Sequence, residues 1–354
     1  MSSDEQSLKA LVGEAIALEA AGKLEPSLRK WEQIRALEDS PEALVEHVRL
    51  AGRLNRWEEA EQAAIVGTQK DSANGQARLA GLYLVLISIL LGLNKADGRE
   101  EHLEHARGYC RKALMAKELA EAYFYIGVTY MRTRDDDKLA EQNLRRALEL
   151  DPSYDEAMYN LAEVIRCSCS EPAPREAVEL YRKSLEIDPR YAAAYRGLAY
   201  VSYDANQFEQ AEDQARRALK LDANDWAAHT ILGRILKRKK KFRAAKAELQ
   251  RGAELGARWY DAQAALASFY DDRGSLQEAA EAYRKCLALE PENAWANRRY
   301  GAVLADLGKT VQARVFFKRA LVLDPQDERS EIYLDMLSKK HPHRQVRTPR
   351  RRKG

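Results

Sequence analysis

A chain of 354 residues, 32% charged and 45% hydrophobic with only 18 Gly and 10 Pro, has room for two or three ordinary domains or for one array of repeats. Ala, Leu, Glu, Lys and Arg dominate, which favours helix over strand and a packed fold over disorder. The net charge of +3 arises at one end: residues 341–354, HPHRQVRTPRRRKG, hold six cations and no acid, leaving 52 bases against 55 acids in the body, the wrong balance for a surface that neutralises many phosphates.

The N-terminal stretch MSSDEQSLKALVGEAIALEA is acidic and amphipathic, without a basic segment followed by an apolar one, so no signal peptide is expected. Four cysteines, Cys110, Cys167, Cys169 and Cys286, are too few and too unevenly spaced for a disulfide framework. Both features predict a reducing, cytoplasmic setting.

In chain order, residues 8–40 and 41–75 each predict two helices around a turn, marked by Gly22, Leu24 and Trp31 in the first and by Trp57, Ala60 and Gly67 in the second. Residues 76–119 begin with a nearly unbroken apolar run over 79–93, LAGLYLVLISILLGL, followed by a polar insertion, NKADGREEHLEH, expected to lie between helices. Fifteen apolar positions fall short of the roughly twenty that span a bilayer, so the run predicts a buried helix and no transmembrane segment. A helix apolar on all sides also has more surface than one neighbour covers, which leaves self-association through 79–93 open.

From residue 120 the pattern becomes regular. Segments end alike, as LRRALELDP (144–152), YRKSLEIDP (181–189), YRKCLALEP (283–291) and FKRALVLDP (317–325). Small residues recur 34 apart at Ala199, Gly233, Ala267 and Gly301, and again at Ala211, Ala245, Ala279 and Ala313. Larger side chains follow at Tyr181, Leu249, Tyr283 and Phe317. Small residues let two antiparallel helices approach, large ones fill the space to the next pair, and the terminal Pro stops the second helix. The units run 120–152, 153–189 (with extra turn residues in RCSCSEPAPREA), 190–225, 226–259, 260–293 and 294–327. Residues 328–340 predict a capping helix, which a stacked array needs at its exposed end. Residues 341–354 predict a disordered basic tail.

This pattern resembles the tetratricopeptide repeat family, weakly over residues 1–119 and strongly over 120–327. The resemblance implies an all-α fold: a right-handed α-solenoid of about nine helix–turn–helix units with a C-terminal capping helix. It also implies a non-catalytic scaffold or adaptor that binds a partner protein or peptide in a concave groove lined by the first helix of each unit. In the family, ligand contacts fall mostly at the second, fifth, ninth and twelfth positions of a unit. Carried over, these are Glu156, Tyr159, Glu163 and Arg166, then Arg196, Tyr200 and Tyr203, then Thr230, Arg234 and Lys237, then Asp261, Ser268 and Asp271, and Trp295 and Arg298. The cationic and aromatic members, Tyr159, Arg166, Arg196, Tyr200, Tyr203, Arg234, Lys237 and Arg298, are the candidate partner-binding residues. They suit a partner with acidic and apolar side chains. The Lys/Asn/Arg clamp of chaperone-binding members is not matched: its positions hold Phe124, Val128, Asn160, Ala193 and Gly197 in one frame and Arg196, Tyr200, Ile231, Asp261 and Ala265 in another.

Other motifs carry less. Cys167 with Cys169, or His102 and His105 beside Glu101, fall short of the four ligands of a structural zinc site, so no metal and no cofactor is expected. GAVLADLGKT (301–310) has six residues between its glycines where a phosphate loop has four. The run ILKRKKKFRAAK (235–246) reads as the end of one helix, a solvated turn at 238–241 and the start of the next. Two alternatives to the adaptor remain: a nucleic-acid-associated accessory protein using the tail and the Lys-rich turn, and a regulatory subunit of a separately encoded enzyme.

Overall fold

The computed structural model describes residues 3–38, 40–69, 74–133, 136–168 and 174–338, and within them there are nineteen α-helices and no strand. Helices pair in sequence: α1 (Ser3–Ala20) with α2 (Leu24–Leu37), α3 (Pro41–Arg53) with α4 (Trp57–Gln69), and α5 (Gly75–Asp97) with α6 (Glu100–Ala116). Then come α7 (Ala120–Thr133) with α8 (Asp137–Leu150), α9 (Asp155–Ser168) with α10 (Arg175–Ile187), and α11 (Ala192–Asp204) with α12 (Phe208–Leu221). Three more pairs follow, α13 (Trp226–Arg238) with α14 (Phe242–Leu255), α15 (Tyr260–Arg273) with α16 (Leu276–Leu289), and α17 (Ala294–Asp306) with α18 (Thr310–Leu323), before α19 (Glu328–Ser338). The fold is the all-α repeat solenoid that the sequence pattern implies.

Two recurrent turns build the repeat. Between the helices of a pair the chain needs one left-handed residue, and Asn206, Lys240, Gly274 and Gly308, 34 residues apart, supply it with φ of 60°, 60°, 74° and 76°. The next residue's N–H reaches back five positions, from Lys241 to the Leu236 carbonyl (2.9 Å) and from Ser275 to that of Tyr270 (2.9 Å), which closes the helix in a Schellman-type end. Between pairs, the Asp of the LDP ending accepts the N–H two residues on: Asp151 from Ser153, Asp188 from Arg190 and Asp324 from Gln326, at 2.9, 2.9 and 3.1 Å. Pro152, Pro189 and Pro325 occupy the turn position whose N–H is not needed.

The chain divides into two compact units, Met1–Ser170 and Glu171–Gly354. In the first, α3 touches α5, α5 touches α7 and α7 touches α9; in the second, α11 touches α13 and α13 touches α15. The second helices of the pairs make no comparable contact with one another among the described residues. Within each unit the first-helix layer is therefore the inner one.

The first unit's core is led by Leu28, Ile34, Leu50, Leu86, Ile87, Leu90 and Leu103. Helix α5 is long and apolar enough over Gly75–Ala96 to cross a bilayer. It nevertheless packs against α3, α4, α6 and α7, with Leu82, Tyr83, Leu86, Ile87, Leu90 and Leu91 buried, so it serves as the core helix expected for 79–93. The polar insertion behind it is not a loop. It lengthens α5 and α6 to 23 and 17 residues, with only Gly98 and Arg99 between them, because its Lys, Ala and Glu residues continue helix until Gly98 turns left-handed at φ 76°.

In the second unit the 34-residue spacing maps directly onto packing. Ala199, Ala211, Ala245, Ala267, Ala279 and Ala313 have no exposed surface. A Cβ on Gly233 would lie 2.5 Å from Leu249 Cγ, and one on Gly301 3.0 Å from Phe317 Cε1. At the end, Tyr333 of α19 stacks on Phe317 with ring centroids 4.8 Å apart, covering the last pair. The cap is not wholly polar, since Ile332 and Met336 are 57% and 45% exposed. The basic tail expected at 341–354 lies outside the described residues.

Candidate functional site

The inner layer of the second unit carries six of the eight candidate residues, on α11, α13 and α17. The 34-residue register sets them in rows across the layer: Tyr200, Arg234 and Ser268 in one, Tyr203, Lys237 and Asp271 in the next. Tyr159 and Arg166 stand on α9 in the first unit. There the Arg166 guanidinium bonds Glu163 of the preceding turn at 2.8 Å.

Most of the cations are engaged in holding the array together. Asp225 caps α13, accepting the N–H groups of Ala227 and Ala228 at 2.9 and 3.0 Å, and it also takes the guanidinium of Arg196. Three repeats on, Arg298 donates to Asp327 at 2.7 Å, and Asp327 accepts the Ser330 hydroxyl at 2.6 Å at the start of α19. Both aspartates are buried. Arg196 thus ties α11 to the cap of α13, and Arg298 ties α17 to the start of α19, a role that a buried carboxylate demands because an unpaired one is costly. Lys237 pairs with Asp272 on α15. Thr230, a groove position by register, is 1% exposed and donates to the Trp226 carbonyl at 2.8 Å; it packs between helices and lines no groove.

Arg234 differs. It is exposed and makes no ion pair or hydrogen bond with the described residues. Beside it in the register stand two half-buried tyrosines: Tyr200, whose hydroxyl donates to the Ala227 carbonyl at 3.5 Å, and Tyr203, edge-on to Phe208 at 5.9 Å. Farther along the layer the charge reverses. Asp271 accepts from the Tyr283 hydroxyl at 3.2 Å and from Arg299 at 2.6 Å. Burial raises the Asp271 pKa above the ordinary aspartate value, against the pull of Arg299. Burial opposes the Arg299 charge as well, yet Tyr283 and the aspartates outweigh it and hold the guanidinium pKa up. Asp306 is pushed up to about 6 by burial and by the nearby Asp271. Trp295, 38% exposed, sits edge-on to Tyr283 at 5.9 Å.

The 238–241 turn is not simply solvated. Lys239 bonds Glu212 at 2.7 Å and approaches Glu209 at 3.5 Å, Lys241 lies 3.7 Å from Glu212, and Arg238 covers the Phe208 ring at 5.2 Å. Hydrogen bonding from Lys239 is the chief reason that the Glu212 pKa falls to about 2. With two glutamates facing it, the turn presents far less free positive charge than its sequence announces. The Cys110 and Cys286 thiols are buried, and burial pushes each pKa up to about 12, so neither is a nucleophile at neutral pH. His102 and His105 join no group of potential metal ligands among the described residues.

Sequence reasoning found the rows but not the Arg299, Asp271 and Tyr283 network. Its members lie on three helices, and its charges do not recur at 34 residues. One signal was available: Asp204, Asp272 and Asp306 share a register position, which marks a recurrent polar site at the end of the first helix.

The family description Tetratricopeptide repeat matches residues 171–233 and 272–331, and a second description of the same repeat matches residues 120–154. No curated protein matches the chain. Among solved structures, the chain is similar to the APC/C hetero-tetramer Cut9-Hcn1 at 12% identity and TM-score 0.60, over 93% of this chain and 76% of that one. It is also similar to Pseudomonas aeruginosa pilF at 22% identity and TM-score 0.50, over 61% of this chain and 97% of that one. At such identities these are likenesses of fold.

Proposed function

The chain belongs to the tetratricopeptide repeat family, and we propose that it is a non-catalytic scaffold or adaptor that binds an extended peptide segment of a partner protein along the inner helix layer of its second unit. The observation that carries this reading is Arg234, an exposed guanidinium without a described partner, in a layer where Arg196, Lys237 and Arg298 are already paired. Such a group, beside Tyr200 and Tyr203, suits a carboxylate next to an apolar or aromatic side chain. Tyrosines give contact area at low entropic cost, as recognition surfaces require. Lys237 contributes a second cation once a ligand carboxylate competes with Asp272. The thiols of Cys110 and Cys286 in the core suit work in a reducing, cytoplasmic setting.

The test is selection of a displayed random-peptide library on the full chain, followed by fluorescence anisotropy with the enriched peptides. Enrichment of Asp or Glu beside aromatic or aliphatic residues is expected, with affinity falling as salt rises. Arg234→Glu should weaken binding by about tenfold or more, since loss of one charge-assisted pair and its reversal exceed about 1.4 kcal/mol. Unchanged affinity in Arg234→Glu would remove the site from this face.

A further inference from the structure

We propose that Glu32, His47 and Glu59 form a binding site for a divalent transition metal of the zinc type, joining the first and second helix pairs. Glu32 lies on α2, His47 on α3 and Glu59 on α4. One potential ligand atom from each falls within 4.8 Å of the other two. The distance from His47 Nε2 to Glu59 Oε1 is 3.7 Å, too long for a hydrogen bond.

His47 is what separates this trio from an ordinary group of surface carboxylates. Its exposure is 6%, and neither ring nitrogen has a hydrogen-bond partner. A buried imidazole without partners forfeits free energy that a neighbouring hydroxyl or carbonyl would normally restore. Here the groups in reach are two carboxylates separated from the ring by a gap. A cation in that gap takes the Nε2 lone pair and both carboxylates at once.

The geometry fits with modest adjustment. Ligands at about 2.0–2.2 Å from a tetrahedral zinc stand about 3.4 Å from one another; His47 and Glu59, at 3.7 Å, are nearly there, and the other separations, within 4.8 Å, must close by at most about 1.4 Å. Glu32 is exposed and Glu59 half-exposed, and their rotamers can supply that movement while His47 stays fixed by its packing. One imidazole and two carboxylates suit zinc, cobalt or nickel better than magnesium or calcium, which prefer oxygen ligands alone. Solvent reaches the site from the Glu32 side and completes the coordination with water. Two cations temper the affinity. Arg56 shares Glu59 at 3.4 Å, although its closer bond is to Glu25 at 2.6 Å, and the charge of Arg35 acts on His47.

Bound metal would staple three helices of the first unit, where the repeat pattern is weakest. The experiment uses the full chain stripped by chelator and titrated with Zn2+ by calorimetry, with Co2+ absorption as a coordination signature. Expected are saturable binding at this site, a cobalt ligand-field band, and a thermal midpoint raised by about 5 °C at a hundredfold excess over Kd. Glu32→Gln, at an exposed position, should leave the circular dichroism unchanged and weaken binding by about tenfold or more; Glu59→Gln and His47→Gln should do the same or worse. The proposal is overturned by the absence of saturable binding. It is equally overturned by binding of undiminished affinity in Glu32→Gln and Glu59→Gln, which would place the metal elsewhere, as on His341 and His343.

Discussion

One close approach of two helices in the second unit makes a sharp test of the packing argument. Gly233 on α13 faces Leu249 on α14. A Cβ built there would stand 2.5 Å from Leu249 Cγ, 2.8 Å from its Cδ2 and 3.1 Å from its backbone N. Ordinary carbon contacts lie near 3.5–4.0 Å, so Gly233→Ala requires about 1 Å of movement. Leu249 is 1% exposed and has nowhere to rotate, and the backbone contact means that the helices themselves must part. Overpacking of this kind costs about 1–3 kcal/mol, and the depth of the overlap puts it at the upper end. Alanine returns about 1 kcal/mol in helix propensity, which leaves a net loss of about 2 kcal/mol, or about 4–8 °C for a unit of this size. Urea denaturation followed by far-ultraviolet circular dichroism, with hydrogen exchange at α13 and α14 to localise the effect, measures it. Gly81→Ala on α5 is the control, because a Cβ there meets nothing within 4 Å and should stabilise by about 1 kcal/mol. The clash also predicts non-additivity, since Leu249→Ala combined with Gly233→Ala should cost less than the two separate losses summed. The reasoning fails if Gly233→Ala melts at or above the unsubstituted chain while Gly81→Ala behaves as expected.

Two further outcomes follow from the turns and the charges. Lys240 holds φ 60° where the equivalent turns use Asn206, Gly274 and Gly308; Lys240→Gly should relieve left-handed strain and stabilise by about 0.5–1 kcal/mol after the added entropy of the unfolded chain, and an unchanged or lower urea midpoint would count against it. Asp306 has a folded-state pKa pushed up to about 6 from a reference value of 3.8, so the folded chain binds this proton more tightly than the unfolded one. Its ionisation therefore lowers stability above pH about 6, and the penalty is relieved as pH falls from about 7 toward about 4. Asp306→Asn should raise the thermal midpoint at pH about 8 and lose that advantage at pH about 4, and a gap independent of pH would refute the assignment.

The helix pairs were legible because each records a local requirement. Ala211, Ala245, Ala279 and Ala313 recur at the points of helix contact, and Asp188, Pro189, Asp324 and Pro325 at the turns, since every repeat meets the same steric and hydrogen-bonding problem. The insertion in the third unit was misjudged for the complementary reason: its composition is polar, but polarity does not stop a helix of good formers until a residue such as Gly98 turns the chain. For the candidate site, register alone placed Tyr200, Tyr203, Arg234 and Lys237 on one layer. It could not tell Arg234, exposed and unpaired with any described residue, from Arg196, held by Asp225, or Lys237, held by Asp272.

The sequence by itself determined the periodicity, the helix pairs of the regular repeats and the rows of side chains on the inner layer, all of which depend on neighbours within one repeat. Only the tertiary structure decided which charges are already neutralised, that the Lys-rich turn faces Glu209 and Glu212, and that Glu32, His47 and Glu59 converge. Those outcomes depend on Coulomb forces and burial across helices from different stretches of chain, and ionic energies fall off with distance in space rather than with separation in sequence.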